Sequence, residues 1–372
     1  MGRVTNRSRG RPIVGVALEP FGWHPAAFAE VDGEPSAALS GAHWTRLARA
    51  AEQAGADFAT FEDSFTLTAR DRVSGRLDAA MLASRVAPQT ERIGLVPSVT
   101  VTHTEPFHAS KAIATLDHVS HGRAGVRPQT TASPADAAVF GRRGVADRAA
   151  LRREAVDYVD VLRDLWDSWE HDTVVKDVAT GRFVDRDRLH YIDFEGEFFS
   201  VKGPSITPRP PQGRPVVLVG TDPADSGAAD GGLAARADIV LVAVRSVDEA
   251  ASVRSRLAAA GVSDATPVLA DVTVALADSE RTAARRLAKL DLREPAPEDT
   301  LTFAGTGAGL RELITDWGGY GIDGVRIRPA VNDVDLSRLR DALAALGSPP
   351  GGPTLRAALG LPAPRNRFAT AD

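Results

Sequence analysis

The feature that most constrains the fold of this chain is a regular alternation of short β-rich runs with helical patterns. Each run is apolar and rich in β-branched residues, and an amphipathic stretch separates most runs from the next. Such an alternation is typical of a parallel sheet with crossover helices. Eight runs have this character: Pro12–Leu18, Asp57–Phe61, Ile93–Thr102, Arg123–Thr130, Pro215–Gly220, Ile239–Val244, Val268–Ala275 and Val325–Pro329.

The count of eight favours a closed barrel over an open sheet. An open, doubly wound sheet normally carries a glycine-rich turn after its first strand, whereas here the first run is followed by Glu19-Pro20-Phe21-Gly22-Trp23-His24. The chain has 372 residues, and barrels of this type run from about 200 to more than 400 residues. We therefore predict an α/β protein with a single (β/α)8 TIM barrel domain over residues 1–372, and the open sheet remains the alternative.

Two segments depart from the repeat. Residues 171–211 contain charged turns, a short aromatic run and a proline-rich exit, with no pattern for a crossover helix. They predict an insertion before the fifth strand, packed on the barrel as a small hairpin. Residues 348–372 begin rich in proline and glycine and are weakly helical only at Thr354–Leu359. We expect this C-terminal tail to lie on the barrel exterior.

Composition excludes several classes of function. The chain has no cysteine, which removes disulfides, thiolate nucleophiles and cysteine-bound metals. A net charge of -5 argues against general nucleic-acid binding, which needs a basic surface. No run approaches the roughly 18 apolar residues of a membrane span. We expect a cytoplasmic protein with no nucleic-acid or membrane partner.

Two local patterns resemble known sites but lack their chemistry. The histidines His103, His108, His118 and His121 crowd one segment without the spacing or the acidic partners of a metal site, so no metal is expected. The run Gly305–Gly309 lacks the lysine and the Ser/Thr of a phosphate-binding P-loop. It is predicted to be a flexible loop before a crossover helix.

Candidate functional residues follow from the barrel itself, because its sites form at the carboxyl ends of the strands. Ser98, Thr100 and Thr102 are two residues apart, so their side chains share one face of the third strand. Their hydroxyls either meet a ligand or fill the barrel taper. Other candidate residues at strand ends are Trp23, His24, Glu62, Asp63, Ser64, His103, Arg127, Gln129, Thr130, Gly220, Thr221, Asp222, Ser226, Arg326 and Arg328.

A resemblance to a known family rests on several strings in the right order. The strings Glu105–His108, Ala114–His118 and Gly122–Gly125 are similar to one segment of the luciferase-like flavin monooxygenases, in the nitrilotriacetate and dibenzothiophene-sulfone monooxygenase branch. Further similar segments lie at Leu165–Trp169, Ile192–Pro204, Pro208–Pro215 and Thr354–Ala369. The resemblance spans nearly the whole chain. It implies a (β/α)8 barrel with an insertion before the fifth strand.

The resemblance also implies an activity and a site. Enzymes of this family take reduced FMN from a separate flavin reductase and use dioxygen to oxygenate a small organic substrate, and they are commonly homo-oligomers. Gly22 and His24 match a glycine–histidine pair of the family, which implies that His24 faces the flavin as the catalytic residue. Asp63, Thr100 and Thr102 match positions that lie against the cofactor.

Three arginines depart from the family pattern where the cofactor is expected. Arg127 stands in place of an asparagine that contacts the flavin ring, and Arg148 and Arg152 replace a histidine and a tyrosine near the flavin phosphate. These guanidinium groups either bind the phosphate or pair with nearby acids and close the site. We carry all three forward as candidate cofactor-binding residues.

The predicted phosphate loop also departs from the family pattern. Gly220 and Ser226 are candidate cofactor-binding residues there, while Asp222 and Asp225 would repel a phosphate. Three functions therefore stay open. The first is an FMN-dependent monooxygenase, the second is a deazaflavin-dependent oxidoreductase of the same superfamily, and the third is a non-catalytic or weakly flavin-binding homologue acting as a partner subunit.

Overall fold

The computed structural model describes residues 10–68, 75–221 and 232–369. Its strands are β1 (Ile13–Leu18), β2 (Phe58–Phe61), β3 (Gly94–Thr100), β4 (Gly125–Gln129), β5 (Val174–Asp177), β6 (Arg182–Val184), β7 (Phe194–Glu195), β8 (Ser200–Val201), β9 (Val216–Thr221), β10 (Ile239–Ala243), β11 (Val268–Leu276), β12 (Leu301–Gly305) and β13 (Gly324–Pro329). Its α-helices are α1 (Gly41–Ala54), α2 (Ala79–Val86), α3 (Pro106–Val119), α4 (Pro134–Phe140), α5 (Arg148–Asp167), α6 (Val247–Ala259), α7 (Glu280–Asp291), α8 (Gly307–Gly318), α9 (Asn332–Ala344) and α10 (Leu355–Ala358). No helix in these ranges is long and apolar enough to cross a membrane.

Eight of the strands close into a parallel barrel. Around the ring their order is β1, β2, β3, β4, β9, β10, β11 and β13, and β13 pairs back with β1 through registers such as Ile13 with Gly324. These are the eight runs predicted from the sequence. The (β/α)8 barrel is therefore confirmed, and the open sheet is wrong.

A ninth strand joins the barrel from outside the ring. Strand β12 pairs with the second half of β11, from Val272 opposite Leu301 to Leu276 opposite Gly305. The flexible loop predicted at Gly305–Gly309 is wrong. Gly305 ends this strand, and the Thr306 hydroxyl accepts a hydrogen bond from the Gly309 amide at 3.2 Å, which caps α8.

Apolar side chains fill the lower half of the barrel lumen, which is the half nearer the amino ends of the strands. Phe58, Val96, Leu218 and Leu241 are fully buried there in one cluster. Leu355 of α10 packs against the same cluster, and its amide donates to the Gly122 carbonyl at 2.8 Å, which places the short C-terminal helix near the amino ends of β3 and β4. Polar groups are thereby left to the upper half of the lumen.

The segment 171–211 lies between α5 and β9. It contains two antiparallel ribbons, one formed by β5 with β6 and the other by β7 with β8, and no α-helix. The Trp169 indole at its base donates to the Ser205 carbonyl at 2.7 Å, and the His190 amide donates to the Ser168 carbonyl at 2.8 Å. These bonds tie the segment to the end of α5.

Candidate functional site

The site is built on the inward face of β13. Val325 and Ile327 of this strand pack into the outer core between barrel and helices, so the alternate residues Arg326 and Arg328 point into the lumen. Arg326 is fully buried. Its Nε and Nη2 lie 2.7 Å from the two carboxylate oxygens of Asp271 on β11, and its Nη1 lies 2.7 Å from Glu62 Oε1.

Glu62 connects this pair to the opposite side of the lumen. Its carboxylate accepts hydrogen bonds from the Thr60 hydroxyl at 2.9 Å, the Ser98 hydroxyl at 3.2 Å and Arg127 Nη1 at 2.9 Å. Burial alone would raise the pKa of Glu62, but the charges of Arg127 and Arg326 outweigh burial and lower that pKa to about 2. The carboxylate is therefore ionised at neutral pH.

Asp271 is the second buried acid. Burial again opposes ionisation, and the charges of Arg326 and Arg328 overcome it, so that the pKa of Asp271 lies well below its ordinary value. We call Glu62, Asp271, Arg127, Arg326 and Arg328 the lumen network. It holds three guanidinium groups and two carboxylates.

Arg328 is the member of the network closest to the loop residues 292–300. Its Nη2 contacts the carboxylate of Asp271, and its Nη1 lies 2.7 Å from Oδ2 of Asp299. The Arg328 guanidinium stacks over the Trp23 ring, 4.3 Å from the centroid, while the Trp23 indole donates to the Ala17 carbonyl at 3.0 Å. The Arg328 side chain is 8% exposed, whereas that of Asp299 is 51% exposed.

Three of the predicted cofactor-binding residues are brought together: Asp63 after β2, Thr100 on β3 and Arg127 on β4. Gln129 joins them: its Oε1 accepts from Arg127 Nη1 at 2.9 Å, and its Nε2 donates to the Thr100 hydroxyl at 2.9 Å and to the Asp63 carbonyl at 2.7 Å. Ser98 also bonds Arg127, at 3.0 Å. Ser98 and Thr100 therefore point to the same side of β3, as their spacing predicts.

Asp63 and Thr102 hold the loops that surround the barrel mouth. The carboxylate of Asp63 accepts from the Ser64 amide at 2.8 Å and from the Ala79 amide at 3.1 Å, and burial raises the pKa of Asp63. The Thr102 hydroxyl accepts from the Thr131 amide at 3.2 Å. The part these two residues play toward a cofactor stays a prediction.

His24 lies buried beside α7. Its Nδ1 accepts a hydrogen bond from the Ala26 amide at 3.1 Å, and its Nε2 lies 3.0 Å from Oδ1 of Asp291, the last residue of α7. Because Nδ1 is an acceptor, the proton of the neutral ring is on Nε2 and is donated to Asp291. The catalytic role of His24 stays a prediction.

The residues predicted to bind the flavin phosphate lie on two separate elements and in a segment outside the described residues. Arg148 begins α5 and is exposed, and Arg152 lies one turn further along and is half-buried. Gly220 is exposed near the end of β9. Ser226, Asp222 and Asp225 lie outside the described residues.

Sequence reasoning missed two acids of the site. Asp271 interrupts an otherwise largely apolar strand, and a charge in a buried strand needs a partner, so this interruption is a signal that could have identified it. Asp299 lies in an acidic, proline-containing loop, and nothing local distinguishes it from Glu298. Only the closed barrel brings it to Arg328.

The donor set of the site fits the reduced FMN that the resemblance implies. The Nε–H groups of Arg127 and Arg328 are buried and have no acceptor within the described part of the chain. A reduced flavin carries a phosphate and a ring that loses a proton readily, so it needs such donors. Among the described residues, a Cβ added at Gly220 would approach Arg127 Nη2, at 4.0 Å.

The fold and these residues define the class of protein: a (β/α)8 barrel with a charged, polar site toward the carboxyl ends of its strands, the arrangement of barrel enzymes. Residues 23–349 match the family model described as luciferase-like monooxygenase. The chain belongs to the luciferase-like monooxygenase family.

Individual relatives agree with this assignment. The chain is 33% identical over 207 residues to N-acetyl-S-(2-succino)cysteine monooxygenase of Bacillus subtilis (strain 168), which covers 55% of this chain and 47% of that protein. It is 32% identical over 289 residues to nitrilotriacetate monooxygenase component A of Aminobacter aminovorans, covering 72% of this chain and 62% of that protein. The matches thus span about half to three fifths of these relatives.

A solved structure supports the same fold. The crystal structure of a riboflavin lyase with modified FMN and its substrate riboflavin superposes with a TM-score of 0.82, covering 95% of this chain and 96% of that chain at 21% identity. The nitrilotriacetate and dibenzothiophene-sulfone branch named from the sequence is confirmed by relatives that carry those names.

Proposed function

We propose that this chain is the oxygenase component of a two-component monooxygenase, which uses reduced FMN and dioxygen to oxygenate a small organic substrate. The observation that carries the proposal is the lumen network, which places three guanidinium groups and two buried carboxylates at the barrel mouth of a luciferase-like monooxygenase. The flavin would supply the oxygen-activating chemistry when bound. A separate flavin reductase would supply the electrons.

Each predicted residue has a role within this proposal. Arg148 and Arg152 bind the phosphate from the start of α5, together with Gly220 near the end of β9 and with Ser226. Arg127, held in place by Glu62 and Gln129, donates to the ring edge. His24, oriented by Asp291, holds a proton at Nε2 near the site of oxygen chemistry. Homo-oligomeric assembly and cytoplasmic location stay predictions from the sequence.

The test is an anaerobic titration of the purified protein with reduced FMN, read by flavin absorbance. We expect saturable binding that is tighter for reduced than for oxidised FMN, and oxygen consumption when a reductase and NADH are added. A reduced deazaflavin titrated in parallel distinguishes the second candidate function. Binding of neither cofactor in either redox state would support the non-catalytic homologue.

A double variant with a matched control tests the phosphate contacts. Replacing both Arg148 and Arg152 by alanine should weaken reduced FMN by about 1.5–3 kcal/mol, because a charge-assisted bond to the phosphate is lost. Arg153→Ala is the matched control, since Arg153 lies on the same helix, is exposed and pairs with Glu197 at 2.9 Å. Equal affinity in the double variant and the control would contradict the phosphate assignment.

A further inference from the structure

Among the described residues, the lumen network has one guanidinium group more than it has carboxylates. Its three guanidinium groups face two buried carboxylates. A buried positive charge without a counter-charge is unfavourable, so the network needs an anion from elsewhere. The structure supplies it from the loop 292–300, in the carboxylate of Asp299.

Asp299 differs from the other acids of the site in its exposure. The side chains of Glu62 and Asp271 are 8% and 6% exposed, but that of Asp299 is 51% exposed. A half-exposed carboxylate is solvated well enough to leave its partner, whereas the fully enclosed acids are held by several bonds each. The negative charge at Arg328 is therefore the exchangeable one.

Arg328 is prepared to receive a replacement anion. Its guanidinium plane is fixed on one face by Trp23, at 4.3 Å, and one Nη by Asp271. The remaining Nη1 faces the solvated carboxylate of Asp299, whose Oδ2 lies 2.7 Å away. A planar guanidinium held in this way binds a carboxylate with little loss of side-chain freedom.

We propose that Arg328 forms a binding subsite for the carboxylate of an organic-acid substrate, and that Asp299 occupies this subsite until the substrate displaces it. The proposal rests on the monooxygenase function proposed above and adds its substrate class. The acid group of the substrate would contact Arg328 Nη1 on the Trp23 side of the mouth. The group to be oxygenated would then project from this anchor toward the flavin.

The experiment uses the flavin-free protein, so it does not depend on turnover. Acetate is titrated at constant ionic strength while tryptophan fluorescence is followed, and Trp23→Phe identifies the part of the signal that arises at Arg328. Acetamide is the uncharged control. We expect a saturable Trp23 signal with acetate only, and at least fivefold tighter acetate binding in Asp299→Asn, because the internal competitor is removed.

Two further variants make the result specific. Asp333→Asn is the matched control, since Asp333 also pairs with an arginine, Arg46, at 2.5 Å, but on the outer helices; it should leave the acetate response unchanged. Arg328→Gln should abolish the response. If Arg328→Gln does not fold, the acetate affinity of Asp299→Asn decides, because replacing a half-exposed side chain does not disturb the core.

Several results would overturn the proposal. These are an equal response to acetamide, no acetate response in either the parent or Asp299→Asn, or an unchanged affinity in Asp299→Asn. The anion could also come from the flavin, so reduced FMN is titrated into Asp299→Asn with and without acetate. If acetate competes with reduced FMN, the subsite belongs to the flavin and not to a substrate. A protein that responds to acetate but does not bind reduced FMN would count against the monooxygenase function and would leave the acetate result intact.

Discussion

Replacing Glu62 by glutamine tests whether the lumen network is held together by charge. The substitution keeps the size of the side chain but removes one of the two buried carboxylates, so Arg127 loses its ion-pair partner and Arg326 keeps only Asp271. Breaking a buried ion pair by removing one partner costs about 3–5 kcal/mol. We expect a loss of that size in the free energy of unfolding, measured by urea denaturation at pH 7.

The pH dependence gives an independent measure of the same interaction. The pKa of Glu62 falls from an ordinary 4.5 to about 2 in the folded protein. Its contribution is therefore present in full above the unfolded-state value and is lost as the pH falls toward the folded-state value. Linkage gives a loss of about 2 kcal/mol between pH 5 and pH 3 from this group. The glutamine variant should lack this part of the acid sensitivity.

Glu197→Gln is the control for the Glu62 experiment, since Glu197 pairs with Arg153 on the surface, where both side chains are more than half exposed. The Glu197→Gln variant should unfold at the same urea concentration as the parent at pH 7, pH 5 and pH 3. A Glu62→Gln variant that matches this control in stability and acid sensitivity would refute the reasoning.

Three other predictions follow from the site and its supports. Gly22→Ala should destabilise the protein by about 2–4 kcal/mol, because Gly22 has φ of +150° and a Cβ there would lie 2.2 Å from the Ala330 carbonyl oxygen. Gly33→Ala is the control, since Gly33 has a similar φ of +146° but no described atom within 4 Å of the added Cβ. Equal urea midpoints for the two variants would contradict the predicted clash at Gly22. Thr100→Val should cost about 1 kcal/mol by removing the acceptor of Gln129, and Thr115→Val, on an exposed helix turn, is its control in thermal unfolding. His24→Gln should lower oxygen consumption with reduced FMN more than it lowers flavin affinity, and Asp291→Asn should reproduce the effect in part, whereas unchanged turnover in both would remove His24 from the mechanism.

The barrel could be predicted from the sequence because its signals are local. Each strand is a run of apolar and β-branched residues, and each crossover helix has its own periodicity, so the count of eight does not depend on long-range contacts. Strand β12 was missed because Leu301–Gly305 is short and ends at Gly305, the first glycine of a run that is equally typical of a loop. The residue types did not show that Gly305 ends a strand and that Thr306 caps a helix.

The site was only partly predictable because its contacts join distant residues. The strand-end rule identified Glu62, Arg326 and Arg328 as candidates, but Arg326 and Glu62 are 264 residues apart and meet only when β13 closes on β1. Arg127 could equally pair with a phosphate or with an acid, since its charge suits both. The structure pairs it with Glu62.

The cost of the lumen network bears on which of the candidate functions is correct. Buried ion pairs are often no more stabilising than well-packed apolar residues of the same volume, because desolvation offsets the attraction. The lower half of the same lumen is already filled by Phe58, Val96 and Leu218. A barrel that served only as a structural partner subunit would gain stability if apolar side chains also replaced the lumen network toward the carboxyl ends of the strands. Retaining three guanidinium groups, one of them balanced by a half-exposed carboxylate, instead favours a function in which the site receives an anion.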